Sequence, residues 1–80
     1  MYKKDTDNRT LTIADGEINT EYTIKGIDTS DEDMRKFLFT LGCYENETIT
    51  IISILKDNYI ITVKDDRYSI GKDLAKAILI

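Results

Sequence analysis

The stretch ETITIISILKDNYIITVKDDRYSI, from Glu47 to Ile70, restricts the fold more than any other part of the chain. Its β-branched and aromatic residues suit a pleated surface, and Asp57-Asn58 and Asp65-Asp66 divide it into three runs. Asp and Asn tolerate the positive φ angles that tight hairpin turns require, so the pattern predicts a three-stranded meander. Ile49 and Ile51 fall on one face of the first run, whereas Ile52 and Ile54 have the opposite parity. Either both faces are buried or a bulge near Ser53 shifts the register, and a strongly curved small barrel accommodates both.

Upstream, TLTIADGE alternates Leu11 and Ile13 before an Asp15-Gly16 turn, and EYTIKGI alternates Tyr22 and Ile24 with polar residues. Both read as strands or strand-like segments. Between them and the meander, Ser30 to Leu41 reads as a helix. Ser30 is placed to cap it, Asp33 stands at the capping-box position, and Gly42 is where a left-handed residue ends it. Met34, Phe37, Leu38 and Leu41 form one apolar stripe directed at the core. GKDLAKAILI closes the chain with a helical turn near 72–76 and a final strand from Ala77 to Ile80.

The expected class is therefore mainly β: a small barrel of five to six strands with one helix inserted near 31–41. Polar residues 1–8 read as a flexible tail, and residues 9–80 as a single domain. A domain of 80 residues commits most of its apolar side chains to folding, which leaves few for a deep catalytic pocket.

Composition removes several functions. The 15 acidic and 11 basic side chains give a net charge of -4, the wrong sign for phosphate attraction, so nucleic acid is not an expected partner. Histidine is absent and Cys43 is the only cysteine. Paired-cysteine zinc sites, internal disulfides and histidine-based nucleophile pairs are excluded with them. Carboxylates are plentiful, but nothing pairs them across a recognisable cleft, so an enzyme is not expected. The opening MYKKDTDNRT has no apolar signal segment, and no apolar run reaches the roughly 20 residues that span a bilayer, so the expected location is cytoplasmic, without membrane insertion.

Asp28, Asp31, Glu32 and Asp33 invite comparison with a calcium loop. Counting from Asp28, position 6 is Asp33 where glycine is needed and position 12 is Phe39 where a bidentate Glu is needed, so the motif fails. Acidic residues in the first turn of a helix, followed by Arg35 and Lys36, are what the helix dipole favours without any ligand. No dedicated metal site or required cofactor is expected; Asp28, Asp31 and Glu32 are the candidates for weak contact with ferrous or another divalent ion. Cys43 reads as a small packing residue, since no second ligand and no cue for a lowered pKa stand beside it. Phe39 lies well off the apolar stripe at 100° per residue, so the helix turns a fifth apolar side chain away from the core, either toward a partner or under cover of the N-terminal tail or a long loop. Arg35, Lys36, Phe39 and Tyr44 form the candidate partner-binding set, although Tyr44 by itself reads as a partly buried aromatic.

The order LTIADGE, YTIKGID, SDEDMRKFLFTLG, ETITIISIL and YSIGKDLAKAILI resembles the ferrous iron transport protein A (FeoA) family, over roughly Leu11 to Ile80. The matching residues are Gly16 and Glu17, Ile24 to Ile27, Arg35 and Leu38, Leu41-Gly42, and Ala77 and Ile78. The chain departs from that family in having Glu45-Asn46 for a proline-glycine turn, Lys56-Asp57-Asn58 for a longer glycine-containing loop, and Gly71 for an arginine. The resemblance implies an SH3-like β-barrel with an inserted helix. It also implies a cytosolic accessory role in ferrous iron uptake, with the cytosolic GTPase part of the membrane permease FeoB as partner. Because the same domain ends some iron-dependent repressors, it implies a metal-binding or metal-sensing regulatory domain as the alternative. Oligomeric state is not legible.

Overall fold

The computed structural model describes residues 11–80; the tail expected over 1–8 and the first residues of the expected domain lie outside the described residues. Six strands run through them: β1 (Thr20–Thr23), β2 (Gly26–Ile27), β3 (Thr48–Leu55), β4 (Asn58–Val63), β5 (Asp66–Gly71) and β6 (Ile78–Leu79). The helices are α1 (Glu32–Leu41) and the single turn α2 (Lys72–Ala75). An antiparallel sheet has the order β1-β3-β4-β5, and β2 pairs with β6 in a second, two-stranded sheet. The mainly β class with one inserted helix is as expected.

The meander forms, with its turns one residue earlier than the sequence suggests. Leu55 pairs with Asn58 and Val63 with Asp66, so the loops are Lys56-Asp57 and Lys64-Asp65. Lys64 and Asp65 both have positive φ, 52° and 69°, as a type I′ turn demands, and Lys56 has φ 59°. Two-residue closure, which matches the twist of the strands, outweighs the reluctance of lysine to adopt this conformation. The parity change in β3 is a bulge: Ile51 pairs with Ile61 and Ser53 with Ile60, which leaves Ile52 as the extra residue. Ile49, Ile51, Ile61 and Val63 consequently stay on the buried face.

The strand expected at TLTIADGE is replaced by a 3-10 turn over Ile13–Asp15, and only Thr12 bridges to Leu79. Local capping decides this. The Thr12 hydroxyl accepts the Ala14 N–H at 3.2 Å, and the Asp15 carboxylate accepts the Thr12 N–H at 3.0 Å. The turn still buries Ile13, and the Tyr59 hydroxyl donates to the Ala14 carbonyl at 3.3 Å. Gly16 follows because a Cβ there would come within 2.7 Å of Ile51 Cδ1.

EYTIKGI is strand-like, as expected, but is divided between the sheets. The Ile24 N–H bonds to the Glu47 carbonyl on one side of the break, and the Lys25 N–H bonds to that of Leu79 on the other. The segment crosses from sheet to sheet there, and buried Ile24 plugs the corner.

The helix cap is Asp31, not Ser30. The Asp31 carboxylate accepts the N–H groups of Asp33 (3.0 Å) and Met34 (3.2 Å). Asp and Ser cap comparably well, and the Thr29 hydroxyl accepts the Asp31 N–H at 3.1 Å, which fixes the register one residue later. Gly42 ends the helix in the left-handed region, at φ 97°. Of the expected stripe, Leu38 is buried and Met34 and Leu41 pack against the core, but Phe37 remains 46% exposed. Phe37 and Leu38 are the two edges of that stripe, and the helix is rolled so that the Leu38 edge enters the core and the Phe37 edge faces solvent. The helical turn and last strand expected near the C-terminus are α2 and β6.

Candidate functional site

Cys43 follows the glycine cap, and its side chain enters the core. Burial raises its thiol pKa from an ordinary 9.0 to about 11, which opposes thiolate chemistry. The packing role expected of it is what the structure shows. Tyr44 then turns outward and its ring stacks on Phe39, with centroids 5.5 Å apart and planes inclined by 19°. Tyr44 is 48% exposed, so it is not the partly buried aromatic expected from its place after Cys43; Phe39 is 37% exposed. The backbone explains the reversal: the Cys43 N–H bonds to the Leu38 carbonyl and the Tyr44 N–H to that of Gly42, so successive side chains point inward and outward.

Two further residues complete this corner. The Lys64 ammonium lies 5.5 Å from the Tyr44 ring centroid and 3.6 Å from a Glu47 carboxylate oxygen. A cation above an aromatic face is attracted by the ring quadrupole, and Glu47 holds that cation in place. Sequence reasoning missed Lys64 and Glu47 because only the hairpin topology brings residue 64 over residue 44. Lys36 is exposed one turn before Phe39 on α1.

Arg35 behaves differently from the rest of the candidate set. Its guanidinium donates to the carbonyls of Ile27 (3.3 Å) and Thr29 (2.5 Å), with Glu32 at 3.9 Å. It ties α1 to the segment after β2, so its charge is largely committed within the domain.

The acidic candidates are dispersed in role. Asp28 is exposed, the Asp31 carboxylate caps the helix, and Glu32 approaches Arg35. Among the described residues no group of three or more Asp, Glu, Cys or His side chains is arranged to hold a metal ion. What the corner offers chemically is a preformed apolar platform edged by a held cation, suited to contact with another surface.

The FeoA domain profile matches residues 11–80 of the sequence. The chain belongs to the FeoA domain family. The FeoA fold is visible in solved structures too. An iron uptake regulatory protein, itself a FeoA, shares 21% identity at a TM-score of 0.79, over 89% of this chain and 95% of its own. The FeoA of Stenotrophomonas maltophilia, solved with zinc and described as an SH3 domain protein, shares 13% at 0.78, covering 88% and 89%. IdeR of T. acidophilum shares 26% at 0.78 over 88% of this chain, which spans only 32% of that longer protein. No curated protein matches by sequence. The fold is thus the SH3-like one that the FeoA resemblance implies, and in this FeoA domain no helix among the described residues is long and apolar enough to cross a membrane.

Proposed function

We propose that this FeoA domain is a cytosolic accessory protein of ferrous iron uptake, a non-enzymatic module that docks on the cytosolic GTPase part of the permease FeoB. The observation that carries the docking is the exposed, stacked Phe39–Tyr44 pair, held in place before any partner arrives. Aromatic anchors of this kind contribute disproportionately to interfaces, and their pre-ordering lowers the entropy cost of association. Family membership supports the iron-uptake role, and the S. maltophilia relative is described as a candidate ferrous iron transport activating factor. Lys36 lies on the same flank of α1, and Arg35 fixes the angle of the helix.

Amide shifts of the labelled domain on addition of the GTPase part test this reading. We expect shifts along α1 and the 43–47 loop, and binding weakened by about tenfold or more in Phe39→Ala and Tyr44→Ala. No shift and no change in GTP turnover would refute it.

A second reading, a metal-sensing regulatory domain, draws on the 26% identity to IdeR. Paramagnetic broadening of the resonances of Asp28, Asp31 and Glu32 by manganous ion is its signature, and sharp resonances throughout a titration would dismiss it.

A further inference from the structure

The geometry points to a second copy of this chain as the occupant of the open edge of β5, joining two four-stranded sheets into one of eight. Among the described residues β4 is the sole strand paired with β5, and the pairing is continuous from Asn58↔Gly71 to Val63↔Asp66. The edge therefore has no bulge or proline along its length to blunt it. In a two-residue hairpin the closing pair, Val63 and Asp66, exchanges hydrogen bonds. Alternation then directs the backbone groups of Asp66, Tyr68 and Ile70 toward β4, and those of Arg67, Ser69 and Gly71 outward.

Those outward residues allow twofold registers centred on Arg67, Tyr68, Ser69 or Ile70, and the one centred on Ser69 pairs all three of them, which gives it the most hydrogen bonds. Centring the dyad on Arg67 sets two guanidinium groups directly opposite each other, which is unfavourable. Centring it on Ser69 sets Ser69 against the partner's Ser69 and Arg67 against the partner's Gly71. Tyr68 then lies across from the partner's Ile70, and Asp66 from the partner's Lys72, the first residue of α2 just beyond the strand. Each contact occurs twice, as a twofold interface requires. Gly71 has nothing within 4 Å of where a Cβ would stand, and a cleft of about 420 Å³ lined by Asp57, Gly71, Lys72 and Asp73 opens beside it. The partner's Arg67 arrives at this cleft, where the two carboxylates outnumber the one ammonium group. Asp66 and Arg67, the charges that would ordinarily protect an edge, both meet opposite charge in this register.

Sedimentation velocity of the full chain at roughly physiological salt, from about 1 μM to 1 mM, is the primary test. We expect a monomer–dimer equilibrium, with slowed exchange of the Arg67 and Ser69 amides at the dimer end. Asp66→Lys, which faces the partner's Lys72, should weaken dimerisation by about tenfold, and adding Lys72→Asp should restore it. Ser69→Pro removes an outward N–H, a change tolerated on an edge, and should abolish the dimer while the circular dichroism spectrum is retained. The proposal is overturned by a monomer at 1 mM, by a dimer indifferent to Asp66→Lys, or by Arg67 and Ser69 amides that are equally protected at every dilution. Protection only when another protein is added would also overturn it and assign the edge to that protein. None of these outcomes depends on docking through Phe39 and Tyr44.

Discussion

At the scale of single residues, the folded environment can be read through proton linkage and capping. The Cys43 thiol has its pKa raised to about 11 by burial, while in the unfolded chain it ionises near 9.0. Between these values the unfolded state releases a proton that the folded state keeps, so this group lowers stability as pH rises from 9 to 11. The difference in urea midpoint between the protein and Cys43→Ala should accordingly narrow across that window. Asp31 and Ser30 give a sharper contrast. Asp31→Ala should cost about 0.5–2 kcal/mol, whereas Ser30→Ala should change stability by less than about 0.5 kcal/mol. Equal losses in the two variants would contradict the observed cap. The sequence shows that a cap exists but does not separate two adjacent capping residues, because the Thr29 hydroxyl that decides between them acts through a local turn two residues long, and such a turn has no signature distinct from the cap itself.

Elements differ in how firmly the barrel holds them. α1 is seated on buried Leu38, with Met34 and Leu41 at its margin and Arg35 clamping the segment before it. Leu38→Ala should therefore cost about 2–5 kcal/mol. Phe37→Ala, on the same expected stripe but half-exposed, should lie below that range, as thermal melts of the two variants would show. Much of this element was legible: its extent, its glycine end, and Phe39 as the side chain off the stripe. Phe37 was not, because periodicity groups the residues of one face and does not report how the helix is rolled on the core. In the candidate site Phe39 was visible as an anomaly, but its stacking on Tyr44 and the cation supplied by Lys64 were hidden, since both depend on a hairpin distant in sequence.

For the whole molecule, the β3-β4-β5 meander is built from contacts local in sequence, and this is why its three strands could be read from the sequence, while parity left the bulge as one of two alternatives that only the pairing with β4 separates. The 3-10 turn at Ile13–Asp15 escaped the same reasoning because a short capping box and an alternating strand look alike over so few residues. The pairing of β2 with β6 joins the first half of the chain to its end, through only Gly26↔Leu79 and Ile27↔Ile78, with flanking bonds from the Lys25 and Asp28 N–H groups. Long-range contacts of this kind are costly to close and so form late, and a ladder this short has little to resist opening. In hydrogen exchange the amides of Lys25 and Asp28 should be released well before that of Ile61. The barrel thus has a seam, and thermal fluctuation, a pulling force or a protease would enter along it while the meander remained intact.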